Sequence, residues 1–260
     1  MLLSIDIGNT NITLGVYNKN SLIETFRLAS DRELGENEYK LLLTTILGNY
    51  EIKSCVIGSV VDELSNVVKK SCDDAFGINS FLYSSSAKSG LEIVLKNPKE
   101  VGADRVANAC AAKIKYTLPA NVVDIGTATT FDVVSKDGKF LGGVIMPGLN
   151  LQFKSLCVNT SKLPQINAGF SDKAIGDCTE NALLSGIMRG SACAIEGLIH
   201  QCELELGEKA TIIATGGHCK LISEYMFRQF DYIDSNLTLD GLKYLYELNC
   251  NKSIEEKYYI

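Results

Sequence analysis

Two short segments carry the residue types that handle phosphate. The first reads Asp6-Ile7-Gly8-Asn9-Thr10-Asn11 and the second Asp124-Ile125-Gly126-Thr127-Ala128-Thr129. Each follows an apolar run and precedes a second run of alternating apolar residues. One offset, 118 residues, separates Asp6 from Asp124, Gly8 from Gly126 and Val16 from Val134. A glycine in a tight turn lets backbone N–H groups approach an anion, and neighbouring hydroxyls add donors. The aspartate cannot bind phosphate itself. It can hold a cation, or the water shell of a cation, that neutralises phosphate. One Asp-x-Gly alone is an ordinary turn. Two copies in register predict a duplicated fold with two phosphate-handling turns facing one cleft. Neither G-x-x-x-x-G-K-[ST] nor G-x-G-x-x-G occurs, so another device must handle phosphate.

Asp104 is the next candidate. It falls in the first turn of an expected helix, where the helix dipole favours an ionised carboxylate. Beside Arg105, such a carboxylate suits a base that takes a proton from an alcohol attacking phosphorus. A charged helix start with a surface ion pair is the competing reading. The planar fork of Arg105 fits a substrate carboxylate, or it simply pairs with Asp104. Thr215-Gly216-Gly217 ends a strand. There a glycine pair either admits a flat base or ribose to the backbone or makes a plain strand-to-helix turn. Asp132, on the second strand of the second copy, reads as structural. His200 and His218 are the only histidines and lie in no ligand cluster, so both read as structural.

The elements that position these residues alternate between period 2 and period 3.6. Leu2–Ile7, Ile12–Tyr17 and Leu22–Leu28 read as a strand meander, Glu36–Leu47 as a helix and Cys55–Val61 as a strand. Asp62 is a plausible N-cap for a helix to about Phe76, and Ile78–Tyr83 reads as a strand. Pro98 opens a helix start and Val101–Tyr116 is a helix rich in small residues. Beyond Leu118-Pro119 the scheme repeats, with strands at Asn121–Ile125, Thr129–Ser135 and Phe140–Ile145 and a long helix at Thr179–Leu206. Thr211–Ala214 is a strand, His218–Arg228 a helix, Tyr232–Ile233 a short strand and Leu239–Leu248 a final helix. Alternating strands and helices give the α/β class. Gly186, Gly190 and Ala194 line one face of the long helix, for close packing within the chain or between two copies.

A chain of 260 residues buries a sizeable core without staples. A net charge of −6 argues against a duplex nucleic-acid binder and leaves room for a small anionic substrate held by a local arginine. The nine cysteines show no C-x-x-C spacing and read as small buried thiols in a reducing compartment. The expectation is a cytoplasmic protein with no signal peptide and no apolar run approaching a membrane span.

The turns resemble those of the acetate and sugar kinase, Hsc70 and actin superfamily. More narrowly, the chain resembles the type III pantothenate kinases. The residues behind this are Asp6-Ile7-Gly8-Asn9-Thr10, then Asn97-Pro98 followed by Gly102-Ala103-Asp104-Arg105, and Asp124 through Thr130. Gly142-Gly143, Pro147-Gly148, Thr179 and Thr215-Gly216-Gly217 complete the set in the expected order. The resemblance implies duplicated ribonuclease-H-like (actin-like ATPase) halves, residues 1–117 and 118–260, with a central cleft. It implies ATP-dependent phosphorylation of pantothenate to 4′-phosphopantothenate, the first step of coenzyme A biosynthesis. In that reading Asp104 is the base, and Gly102, Ala103, Asp104, Arg105, Leu95 and Thr179 meet the substrate. Asp6, Ile7, Gly8, Asn9, Thr10, Asn11, Ile12 and Thr13 surround ATP, with Thr127, Gly216 and Gly217. Asp6 holds Mg²⁺ through the phosphates and Asp124 holds a monovalent cation, K⁺ or NH₄⁺. The implied assembly is a homodimer with no nucleic-acid or membrane partner. Many members carry an aromatic residue where this chain has Leu95, which puts one substrate contact in doubt. Two other functions remain open: a regulator like the Bvg accessory factors, or a superfamily kinase for another small hydroxylated substrate.

Overall fold

Alternating apolar residues at the N-terminus become three strands in the computed structural model, which describes residues 1–250. Strands β1 (Leu2–Ile7), β2 (Asn11–Asn18) and β3 (Ser21–Ala29) form an antiparallel meander. Helix α1 (Glu36–Leu47) leads to β4 (Ser54–Ser59), which lies parallel to β1. Helix α2 (Asp62–Phe76) leads to β5 (Phe81–Leu82), parallel to β4. The sheet order is β3-β2-β1-β4-β5, the ribonuclease-H-like arrangement.

Period-2 alternation decides what each face of this sheet meets. Leu3, Ile5 and Ile7, paired with Val16, Leu14 and Ile12, are at most 1% exposed and pack on Tyr39, Leu43, Leu64 and Val68 of the two helices. Ser4 points the other way, its Oγ donating to the Leu239 carbonyl at 3.1 Å. Asp6 therefore emerges on the Ser4 face, where register places Thr13 and Gly58 beside it.

The chain continues through β6 (Glu92–Ile93), a 3₁₀ turn (Pro98–Glu100) and α3 (Ala103–Lys115). Next come β7 (Ala120–Ile125), β8 (Ala128–Val134), β9 (Lys139–Pro147), α4 (Leu149–Val158) and α5 (Thr179–Leu206). The last elements are β10 (Thr211–Thr215), α6 (Cys219–Ser223), β11 (Tyr232–Ile233) and α7 (Leu237–Cys250). The second sheet has the order β11-β10-β7-β8-β9-β6. Without the added edge strand β6, it repeats the first sheet strand for strand. Its core forms where Val123, Ile125 and Phe131 meet Ile187, Met188, Ala192, Ile195 and Ile199 of α5. Burying each large side chain of this set contributes roughly 1.5–3 kcal/mol.

One unit comprises Met1–Leu91, Leu95–Ile114 and the chain from Asn236; the other comprises Glu92–Val94 and Lys115–Ser235. This division differs from halves at 1–117 and 118–260, because α7 packs on the first sheet. Tyr17 donates its hydroxyl to Asp240 at 2.6 Å, and Thr238 donates to the Asn108 side chain on α3 at 2.8 Å. Residues Glu92–Val94 join the second unit by pairing with β9.

Four further expectations change. The sequence predicts a helix over His218–Arg228, but α6 stops at Ser223: Tyr225 and Met226 turn into the core, and Glu196 captures the Arg228 backbone N–H at 2.5 Å. Helix α5 is by length and composition long and apolar enough to cross a membrane, although one side of it forms the core just described. Of the cysteines, Cys55, Cys72, Cys110 and Cys219 are buried, whereas Cys178, Cys193 and Cys250 are exposed. Gly186 and Gly190 are exposed with open space around them, so they do not pack within the chain.

Candidate functional site

The two Asp-x-Gly segments both form the turn of a hairpin, at the carboxyl ends of the central parallel strand pairs β1/β4 and β7/β10. Ligands bind outside such strand ends in open α/β sheets. In the first turn the Gly8 N–H donates to the Asn11 carbonyl at 3.0 Å; in the second the Gly126 N–H donates to the Ala128 carbonyl at 3.0 Å. The second turn is one residue shorter. The offset of 118 thus holds at the aspartates and glycines but not at Val16: its structural counterpart is Val133 rather than Val134, since Val16 pairs with Leu3 and Val133 with Asn121.

Asn9 and Thr10 are exposed at the first turn, and Asp6 and Thr13 are half-buried on one face. Ile7 and Ile12 point into the core, so only their backbones can meet a nucleotide. A segment just beyond β3 also touches this turn, with no signal in the sequence to announce it. Ser30 Oγ donates to the Gly8 carbonyl at 2.5 Å, the Ser30 N–H to the Thr10 carbonyl at 3.1 Å, and Arg32 to Asn9 Oδ1 at 3.0 Å.

Asp104 stands in the first turn of α3, where its Oδ1 accepts the Arg105 N–H at 2.8 Å. Gly102 explains how it is seated. A Cβ on Gly102 would lie 2.5 Å from Asp104 Oδ1 and 3.2 Å from Val60 Cγ1, so only glycine leaves the carboxylate its position. Val60 follows β4, and its N–H donates to the Ile7 carbonyl at 3.0 Å, immediately before the first turn. Contact by contact, the carboxylate is tied to the end of β1. Loss of solvation pushes its pKa above the ordinary aspartate range, against the Arg105 N–H and the Arg105 charge, which lower it. The helix start alone predicts the opposite direction; burial prevails.

In the second unit Gly216 adopts φ +89°, and a Cβ there would lie 2.5 Å from Asp124 Oδ1 and 2.7 Å from the Ile125 backbone. The Thr215-Gly216-Gly217 motif therefore lies directly against the Asp124 turn, with Thr215 paired to Asp124. The His218 N–H donates to the Ile125 carbonyl at 3.2 Å. Thr127 is exposed at the tip of the turn, and its carbonyl accepts the Gly148 N–H at 3.1 Å.

The first unit thus brings Asp6, Gly8–Thr13, Gly102, Ala103 and Asp104 together, and the second brings Asp124, Thr127, Gly216 and Gly217 together. Ala103 is buried and Arg105 half-exposed. Leu95 is half-buried in the segment between β6 and the 3₁₀ turn, and Thr179 is exposed as the first residue of α5. Asp132 is fully buried on β8, and His200 is exposed.

Among the described residues no group of three or more His, Cys, Asp or Glu side chains converges. Asp6 and Asp124 are single carboxylates at turns. That donor set fits a cation such as Mg²⁺, which takes one or two carboxylates and completes its shell with phosphate and water.

A profile of the type III pantothenate kinases matches residues 2–201. The chain is 39% identical over 254 residues to a type III pantothenate kinase of Exiguobacterium sibiricum, covering 96% of this chain and 100% of that one. It is 39% identical over 254 residues to that of Moorella thermoacetica (96% and 100%) and 37% over 253 residues to that of Dehalococcoides mccartyi (95% and 96%). Among solved structures it resembles in fold a Campylobacter jejuni protein described as a Baf family transcriptional activator, with TM-score 0.61, 22% identity and coverage of 94% and 97%. The ethanolamine utilization protein EutJ of Carboxydothermus hydrogenoformans is similar with TM-score 0.53, 14% identity and coverage of 92% and 88%.

Proposed function

We infer that this chain, which belongs to the type III pantothenate kinase family, transfers the terminal phosphoryl group of ATP to pantothenate. The product is 4′-phosphopantothenate, and the reaction opens coenzyme A biosynthesis. The observation that carries the mechanism is the Asp104 carboxylate, held against Gly102 and linked through Val60 to the end of β1.

In the mechanism we propose, Asp104 accepts the proton of the primary hydroxyl as its oxygen bonds to the γ-phosphorus and the bond to the bridging oxygen of ADP breaks. Its raised pKa makes it a better proton acceptor than an exposed aspartate. Gly8–Asn11 and Thr127 offer turn amides and hydroxyls to the phosphates, and Gly216-Gly217 offers bare backbone to the adenosine. Asp6 would help hold a divalent ion at the triphosphate, which would supply positive charge there; the residues otherwise position. Arg105 pairs with the pantothenate carboxylate, and Leu95 and Thr179 complete that pocket. Asp124 holds K⁺ or NH₄⁺.

The enzyme works in the cytoplasm as a homodimer built on α5. What supports the dimer is the exposed run Ala182, Gly186, Gly190, Cys193 and Gly197 along that helix, with open space at all three glycines. Pantothenate-dependent release of ADP, measured with K⁺ and with Na⁺ alone, tests the reading. No pantothenate dependence overturns the activity, and full activity without K⁺ or NH₄⁺ removes the role of Asp124.

A further inference from the structure

The first turn carries no cation of its own. Residues 6–13 include one aspartate and no lysine or arginine, yet a triphosphate placed there brings several negative charges beside Asp6. Arg32 brings a positive charge to this turn, its Nη2 donating to Asn9 Oδ1 at 3.0 Å. Arg32 has no carboxylate within ion-pair distance among the described residues, and its side chain is exposed. Its only side-chain partner among the described residues is a neutral amide, which a phosphate oxygen replaces at little cost.

The backbone that presents Arg32 is held on both sides. Ser30 is bonded to Gly8 and to Thr10, as described above. The Asp31 carbonyl accepts the hydroxyl of Tyr39, a residue 1% exposed, at 2.7 Å, and Asp31 Oδ1 accepts the Glu33 N–H at 2.9 Å. Nothing in this bonding satisfies Arg32; all of it fixes where Arg32 begins. A guanidinium fork presented this way suits phosphate oxygens, and the backbone that carries it is already ordered.

We propose that Arg32 binds the phosphate chain of the nucleotide at the first turn and supplies a positive charge that residues 6–13 do not themselves carry. The proposal rests on the reading of Gly8–Asn11 as a phosphate turn. The test is titration of the full chain with Mg²⁺-ATP, Mg²⁺-ADP and adenosine. Arg32→Gln should weaken ATP and ADP roughly tenfold, the scale of one charge-assisted hydrogen bond. Adenosine affinity and melting temperature should stay as in the wild type, and ATP affinity should become less sensitive to salt. Arg32→Lys, which keeps the charge and loses the fork, should recover part of the loss. If Arg32→Gln leaves ATP affinity unchanged, or weakens adenosine as much as ATP, the proposal is wrong. Asp6→Asn separates the two levels. If it weakens Mg²⁺-ATP while Arg32→Gln does not, the phosphate turn stands and only Arg32 loses its role; if neither variant acts, the turn itself has been misread.

Discussion

Gly102→Ala isolates the geometry of the Asp104 carboxylate from its chemistry. The added Cβ would sit 2.5 Å from Asp104 Oδ1, against an ordinary contact of 3.4 Å or more. The carboxylate must therefore move by about 1 Å, and displacement on that scale costs on the order of 10²-fold in rate. The structural cost is smaller. The clashing atom is the end of a short side chain rather than backbone, and the second neighbour, Val60 Cγ1 at 3.2 Å, needs to give only a few tenths of an ångström. The variant should melt within about 1 kcal/mol of the wild type while kcat falls about a hundredfold, with the KM for ATP little changed. A coupled ADP-release assay and a thermal melt measure both. The Asp104→Asn, Gly102→Ala double variant should be no slower than Asp104→Asn alone, because both changes disable one group. A Gly102→Ala enzyme that keeps more than about a third of wild-type kcat would refute the claim that this contact places the base. So would a double variant in which the two losses multiply.

Three other outcomes follow from the same geometry. The acid limb of kcat/KM should lie above 3.8, because burial raises the pKa of Asp104 and the base must be ionised. That raised value favours the protonated form in the fold, a contribution present below the unfolded pKa and lost as pH rises through the folded one. Asp104→Asn at neutral pH should therefore lose about 10²–10⁴-fold in rate with no loss of melting temperature. Glu203, paired with both guanidinium nitrogens of Arg228 and with Lys209 at 2.8 Å, has its pKa lowered to about 2 from 4.5. Its stabilisation is present above about 4.5 and lost as pH falls through about 2. Because Arg228 is 39% exposed, it amounts to roughly 2–3 kcal/mol, so Glu203→Gln should melt several degrees lower at pH 7 and differ least at low pH. A Cβ at Gly190 would meet nothing within 4 Å in a single chain, so for Gly190→Leu light scattering should show a shift toward monomer without a drop in monomer stability; a wild type already monomeric at micromolar concentration ends the dimer reading.

What the sequence shows of this fold is what local physics determines. Strand alternation and a glycine after an aspartate are short-range features, so both meanders and both turns could be read directly. The same alternation already buries Ile7 and Ile12 and turns Asp6 toward the opposite face. What could not be read is set by distant partners. Two residues, Glu92–Ile93, become a strand only because β9 offers an edge, and α7 joins the first sheet through Ser4 and Tyr17 and helix α3 through Asn108. The Asp104 motif was legible as a sequence, but the direction of its pKa shift was not. The helix start alone would lower the pKa, and burial, invisible in one dimension, raises it.

The two units also differ in how each closes its duplicated turn. Register equates Gly58 with Thr215, since the first pairs with Asp6 and the second with Asp124. Past that point the first unit closes with the Val60 N–H on Ile7, whereas the second closes with the His218 N–H on Ile125, one residue later. The extra residue falls where Gly216 takes its left-handed backbone against Asp124. On the other side of the central strand the asymmetry reverses, and the first turn is the longer by one residue. Each unit has thus opened its sheet end on a different side. In the first, the longer hairpin turn exposes Asn9 and Thr10, and tight closure at Val60 leaves room only for glycine at 102 beside the Asp104 carboxylate. In the second, the hairpin is tight and the loosened closure presents bare glycine backbone. A base and a phosphate turn are the expected products of the first change, and a surface for a flat nucleoside is the expected product of the second. Single-residue differences at equivalent strand ends thus give the two units differently shaped sheet ends.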